Sequence, residues 1–105
     1  MRPSEAGAAA RFAWDEFFYG SLRNQHTRRA YSHAANKFLA WCERRGLQLH
    51  QIAPRDVGQY LDELSLSSVT KKLHLSAIRR LFDLLVNRHA VILNPAATVR
   101  TERYQ

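Results

Sequence analysis

Two stretches of this chain repeat apolar side chains at helical spacing, and together they dictate what it can fold into. In the first, Tyr31, Ala34, Ala35, Phe38, Leu39, Trp41 and Cys42 follow the i, i+3, i+4, i+7 pattern, the spacing of one helix face. In the second, Leu73, Ala77, Ile78, Leu81, Leu84 and Leu85 do the same, with Phe82 at the edge. An apolar stripe on a helix must be covered by another element. No convincing strand pattern offers a sheet as the cover. The expected fold class is therefore all-α, with helix packed on helix.

The punctuation between the stripes sets the rest of the architecture. Thr27 is a good N-cap for the first long helix. Gly46 closes it after Arg44 and Arg45, cations that suit the last turn of a helix. Residues 47–53 form a connector, with Leu47, Leu49 and Ile52 as plugs. Pro54 fits the first turn of a shorter helix, whose stripe is Val57, Tyr60, Leu61 and Leu64. After a turn, Ser67 or Ser68 caps the second long helix, which runs to Arg88 or His89. Asn94-Pro95 then stops helical structure, because proline disfavours helix in the residue before it.

Upstream, Phe12, Trp14, Phe17, Phe18 and Tyr19 crowd residues 11–19 into a short aromatic helix ended by Gly20 and Ser21. Residues 1–10 read as a disordered lead-in. Residues 11–93 make one domain, and residues 94–105 the start of a linker or tail. Four helices with short connectors describe an all-α bundle.

Charge points to the partner. The chain has 16 Lys and Arg against 9 Asp and Glu, a net charge of +7 and a pI near 10.3. The surplus is segregated. Residues 22–45 hold six basic residues against Glu43, and residues 67–89 hold five against Asp83. The helix between them carries Arg55 against Asp56, Asp62 and Glu63. Two basic helices beside an acidic one imply a cationic face for a polyanion. Lipid binding would want large apolar residues facing outward on a basic helix, and neither basic helix needs that arrangement.

Other classes fall away on residue types. Cys42 is the single cysteine, so a disulfide or cysteine metal cluster within the chain is excluded. It lies on the apolar side of its helix, as a small buried hydrophobe. No apolar run reaches transmembrane length, and residues 1–10 lack a signal-peptide pattern. The expectation is an intracellular, cytoplasmic protein without cofactor or membrane partner.

The outward sides of the basic helices carry the candidate contacts. Opposite Tyr31 and Phe38 lie Arg29, Ser32, His33 and Asn36. Opposite the second stripe lie Ser68, Lys72, Ser76 and Arg79, with Asp83 at the far end. Arg and Lys meet phosphates or guanine, Asn reads adenine, and Ser meets either. Double-stranded DNA is the expected partner, since an α-helix fits its major groove.

These residues also carry a family resemblance. The run Asn24-Gln25-His26-Thr27-Arg28-Arg29-Ala30-Tyr31, followed by Phe38, Trp41, Cys42 and Gly46, resembles the amino-terminal core-binding domain of tyrosine site-specific recombinases, the phage integrase family. The run Leu75-Ser76-Ala77-Ile78-Arg79-Arg80-Leu81-Phe82, and then Asn94-Pro95-Ala96, is similar to that domain's last long helix and its exit. The likeness covers roughly residues 10–99. It implies a four- to five-helix SAM-like orthogonal bundle that sits on one face of DNA. By position it adds Thr27 and Arg28 on the first long helix, and Lys71 and Arg80 on the second, to the DNA-facing set. It also implies partners: a carboxy-terminal catalytic domain, and neighbouring protomers met through Phe12, Trp14, Phe17 and Phe18.

That family's chemistry uses an Arg, a His-x-x-Arg and a nucleophilic Tyr in the catalytic domain, which this sequence does not include. His26-Thr27-Arg28-Arg29 matches His-x-x-Arg by coincidence, at the start of a helix in the DNA-binding half. Tyr104 lies in the expected linker. No catalytic residue and no metal site is expected here, and the chain is read as a non-enzymatic DNA-binding domain. Two other readings remain. A stand-alone helix-turn-helix regulator would want two short helices joined by a tight turn. A SAM-like protein-interaction module would work through its aromatic first helix and show no salt-sensitive DNA binding.

Overall fold

Why the two long stripes become helices that face each other is visible in the computed structural model, which describes residues 25–100. Helix α1 spans Gln25–Arg44 and α3 spans Ser68–Asn87, with the shorter α2, Pro54–Glu63, between them. A 3₁₀ turn, Leu49–Gln51, lies in the connector before α2. Among the described residues there is no strand. The predicted aromatic helix at residues 11–19, the lead-in, and Tyr104 lie outside the described residues. Two long helices separated by a whole helix are not the tight pair of a helix-turn-helix.

Each helix ends where its local chemistry satisfies the orphan backbone groups. At the end of α1, Gly46 takes φ 72°. The Leu47 N–H then donates to the Cys42 carbonyl at 2.9 Å, and the Gly46 N–H to the Glu43 carbonyl at 3.0 Å. This is the Schellman arrangement, and it needs the left-handed backbone that glycine adopts without strain. The end of α3 repeats it with His89 at φ 61°: Ala90 N–H donates to Leu85 and His89 N–H to Val86. At the start of α2, Pro54 occupies the first turn and the Asp56 carboxylate accepts from the Ala53 N–H at 2.8 Å. At the start of α3, the Ser67 hydroxyl accepts from the Thr70 N–H at 3.2 Å.

Thr27 does not cap α1. The helix is already formed at Gln25, so Thr27 sits inside its first turn.

The core is built from all three helices. Ala34, Ala35, Phe38, Trp41 and Cys42 from α1 meet Val57, Tyr60 and Leu61 from α2, with Leu64 just beyond it, and Leu75, Ala77, Ile78, Leu81, Phe82 and Leu85 from α3. Phe38 is at its centre. Its ring lies 5.0 Å from Tyr60 and 6.3 Å from Phe82, both edge-on. Burying each such ring contributes about 1.5–3 kcal/mol.

Two features of α3 differ from the sequence expectation. Phe82 is wholly buried rather than at an edge, and His74 and Leu75 are buried beside it. Phe82 meets Phe38 of α1 and His74 meets Tyr60 of α2, so two helices cover α3 at once, and a further segment packs on the bundle beside it. That segment is residues 91–99, where Val91, Pro95 and Ala96 are buried. Residues 94–99, expected to open a linker or tail, thus lie packed on the bundle.

Candidate nucleic-acid interface

Helical geometry places Arg29, His33 and Asn36 on successive turns of α1, and all three are exposed. Ser32 is half-buried beside them, and its hydroxyl accepts from the Asn36 side-chain amide at 3.4 Å. Thr27 and Arg28 are half-buried at the start of the helix. On α3, Ser68, Lys72 and Arg80 are exposed, and Ser76 and Arg79 are half-buried. The two helices touch on the side of α1 that carries Tyr31. The Arg80 guanidinium lies over the Tyr31 ring, 5.5 Å from its centroid, a cation–π contact.

Lys71 departs from the expected set. Only 9 % of it is exposed, so it does not share the outer face with Lys72. Lys71, Leu75, Ile78, Phe82 and Leu85 stand three or four residues apart, and this places Lys71 at the head of the buried stripe. A lysine stem packs in such a place while its ammonium reaches outward.

Arg79 has partners that the sequence did not reveal. Its Nε–H donates to the Ala96 carbonyl at 3.1 Å, and one Nη donates to the Val99 carbonyl. Asn94 completes the clasp. Its amide donates to the Arg79 carbonyl at 3.0 Å and to the Asp83 carboxylate at 2.8 Å, while its oxygen accepts from the Ala96 N–H at 2.9 Å. The Asn94-Pro95 pair was legible as a helix stop. Its grip on Arg79 was not, because the acceptors are backbone carbonyls far along the chain.

His74 is 2 % exposed and shares a 3.0 Å hydrogen bond with the Tyr60 hydroxyl. Burial lowers its pKa below the ordinary histidine value, and the positive fields of Lys37 and His33 lower it further. The cationic character of α1 thus reaches the core. Burial also raises the Tyr60 hydroxyl and pushes the Cys42 thiol up to about 12. Neither is a poised nucleophile.

The acidic side of the molecule is occupied internally. Glu63 accepts from the Trp41 indole at 3.1 Å and pairs with Arg45 at 3.4 Å, and the Arg45 guanidinium lies 4.4 Å from the Trp41 ring centroid. The indole hydrogen bond is the main cause of a lowered Glu63 pKa. Arg45 is therefore engaged at the far end of α1.

An apolar depression lies between Leu49–Pro54 and Val91–Thr98, with Ile92 and Leu93 exposed nearby. It has no Lys or Arg in its lining, so it does not suit a polyanion. No cluster of three or more His, Cys, Asp or Glu able to hold a metal exists among the described residues. No described helix is long and apolar enough to cross a membrane.

The described residues thus form a helical bundle that presents basic side chains from α1 and α3 and buries the His74 imidazole, the Tyr60 hydroxyl and the Cys42 thiol. The chain belongs to the phage integrase N-terminal SAM-like domain family, whose model matches residues 18–89. That domain is the non-catalytic one. No curated protein and no solved structure matches the chain.

Proposed function

We propose that this domain is the core-binding part of a tyrosine recombinase, gripping half of a recombination site on double-stranded DNA. The observation that carries the reading is the exposure of Arg29, His33 and Asn36 on α1 and of Lys72 and Arg80 on α3. The Arg80–Tyr31 contact ties the two basic helices to each other. Along α1 and α3 the acids are Glu43 and Asp83 alone, so a phosphate backbone meets attraction over most of both helices. Lys72 and Arg29 act as phosphate contacts. Asn36 has the chemistry to read a base edge. Thr27, Arg28, Ser32, Ser68 and Ser76 border the contact and set its register. A catalytic domain elsewhere in the parent protein supplies the strand-exchange chemistry, and this domain presents DNA to it.

Binding of the chain to a duplex at two salt concentrations tests the reading. Each neutralised phosphate contributes about 0.9 to the slope of log K against log salt, so four or five contacts give roughly −4. Lys72→Ala should weaken all sequences alike and reduce that slope by about one, with Arg55→Ala on α2 as the unaffected comparison. Affinity that ignores salt, or equal losses for both variants, refutes a two-helix DNA face.

A further inference from the structure

Ser76, Arg79, Arg80 and Asp83 line a shallow recess along α3. Three of the four are hydrogen-bond donors, and two are guanidinium groups. Arg79 is committed on one side only. Its Nε and one Nη hold the Ala96 and Val99 carbonyls. A guanidinium has five N–H donors in a fixed plane, so these two bonds leave further donors on a side chain that also lines the recess. Asp83, the one anion there, is partly satisfied by the Asn94 amide at 2.8 Å. The forked geometry of a guanidinium matches a phosphate.

We propose that Arg79 is shared: one edge pins residues 94–99 to α3, and the other, with Ser76 and Arg80, holds a single DNA backbone phosphate, so that seating DNA and fixing the chain's exit from the domain are one event. The inference rests on the DNA-binding reading above. A phosphate in the recess restricts the guanidinium to the orientation that also meets Ala96 and Val99. By linkage, whatever DNA adds to the order of the exit segment, the segment returns to DNA affinity by the same factor. Arg79 is thus a positioning residue as well as a contact. Asn94, which carries no charge, matters for binding because it holds the exit segment from the other side.

The experiment measures amide hydrogen exchange in the full chain with and without a saturating DNA duplex at low salt. The reporters are the Ala97 and Val99 amides, which donate to Asn94 at 3.2 Å and Ala96 at 3.3 Å. Binding itself is followed in parallel by fluorescence anisotropy of a labelled duplex. In the wild type, DNA should slow exchange at both amides by about fivefold, the lower end of ordinary coupling between sites. Arg79→Lys keeps the charge but loses the fork, and should abolish the slowing. Asn94→Ala should weaken duplex affinity by a factor similar to the slowing. If the duplex binds and exchange at Ala97 and Val99 is unchanged, Arg79 serves the clasp alone and the coupling is wrong. If slowing persists in Arg79→Lys, it does not pass through the guanidinium, and the proposal also falls. A wild type that fails to bind any duplex at low salt overturns the functional reading itself, a result the anisotropy separates from the other two.

Discussion

Tyr60→Phe removes one oxygen from the middle of this domain and leaves everything else in place. The ring keeps its edge contacts with Phe38 at 5.0 Å and Trp41 at 5.6 Å. What disappears is the 3.0 Å hydrogen bond to His74 Nδ1. Both partners are 2 % exposed, so no bulk water replaces the lost hydroxyl. A buried polar group left without its partner costs about 1–3 kcal/mol. For a domain of this size each kcal/mol shifts Tm by about 4–8 °C, which sets an expected fall of roughly 5–20 °C. His74→Leu should cost a similar amount, because it strands the Tyr60 hydroxyl instead. The double variant should cost far less than the sum, since two apolar groups of similar shape leave nothing unpaired.

Thermal unfolding by circular dichroism on all four proteins completes the cycle, and a coupling of about 1 kcal/mol or more is expected. If Tyr60→Phe melts within a degree of the wild type, the hydrogen bond does not support the fold. Simple additivity in the double variant leads to the same conclusion.

Three further outcomes follow from the same core. His74 has a folded-state pKa below its unfolded value, so the unfolded chain binds more protons between the two. Stability should be full above about pH 6.5 and fall as pH drops from there toward the folded pKa. A Tm series from pH 8 to 5 checks this, and His74→Leu should flatten that part of the profile. Cys42, pushed up to about 12 and 2 % exposed, should resist alkylation in the native protein at pH 8 and react promptly in denaturant; mass spectrometry of iodoacetamide-treated samples reads both. His89→Gly should stabilise by about 1 kcal/mol, because a left-handed backbone strains a residue bearing a Cβ, while Gly46→Ala, at φ 72° with no atom near the added carbon, should destabilise by about as much; denaturant melts compare the two.

What could be read from the sequence divides along physical lines. The α2 stripe of Val57, Tyr60, Leu61 and Leu64 was legible because α2 is covered on one side, and such a helix displays its period openly. The Ser67 cap and the Gly46 stop were legible because their chemistry is local. The α3 stripe was misread around Phe82, Leu75 and His74. A helix covered on two flanks buries more of its circumference than a single stripe predicts. Arg29, His33, Asn36 and Lys72, set outward by helical periodicity, are exposed, as is Arg80. Lys71 and Arg79 were harder. The first depends on how deep the α3 stripe is covered. The second depends on carbonyls 17 and 20 residues downstream, and no periodicity encodes a bond to a backbone oxygen.

The clasp between α3 and residues 94–99 also has a mechanical side. Tension drawn through the chain beyond Arg100 does not first reach the end of α3. It arrives at Arg79, well inside a helix that continues to Asn87. The loop of residues 88–93, with its left-handed turn at His89, is bypassed and carries no load. Arg79 and Asn94 engage the segment at several atoms at once, across the helix rather than along its end. The bonds at Val99, Ala96 and Asn94 follow one another along the segment, so a pull from beyond Arg100 meets the Val99 bond first. A pull on the exit is therefore met at Arg79 before it reaches the end of α3.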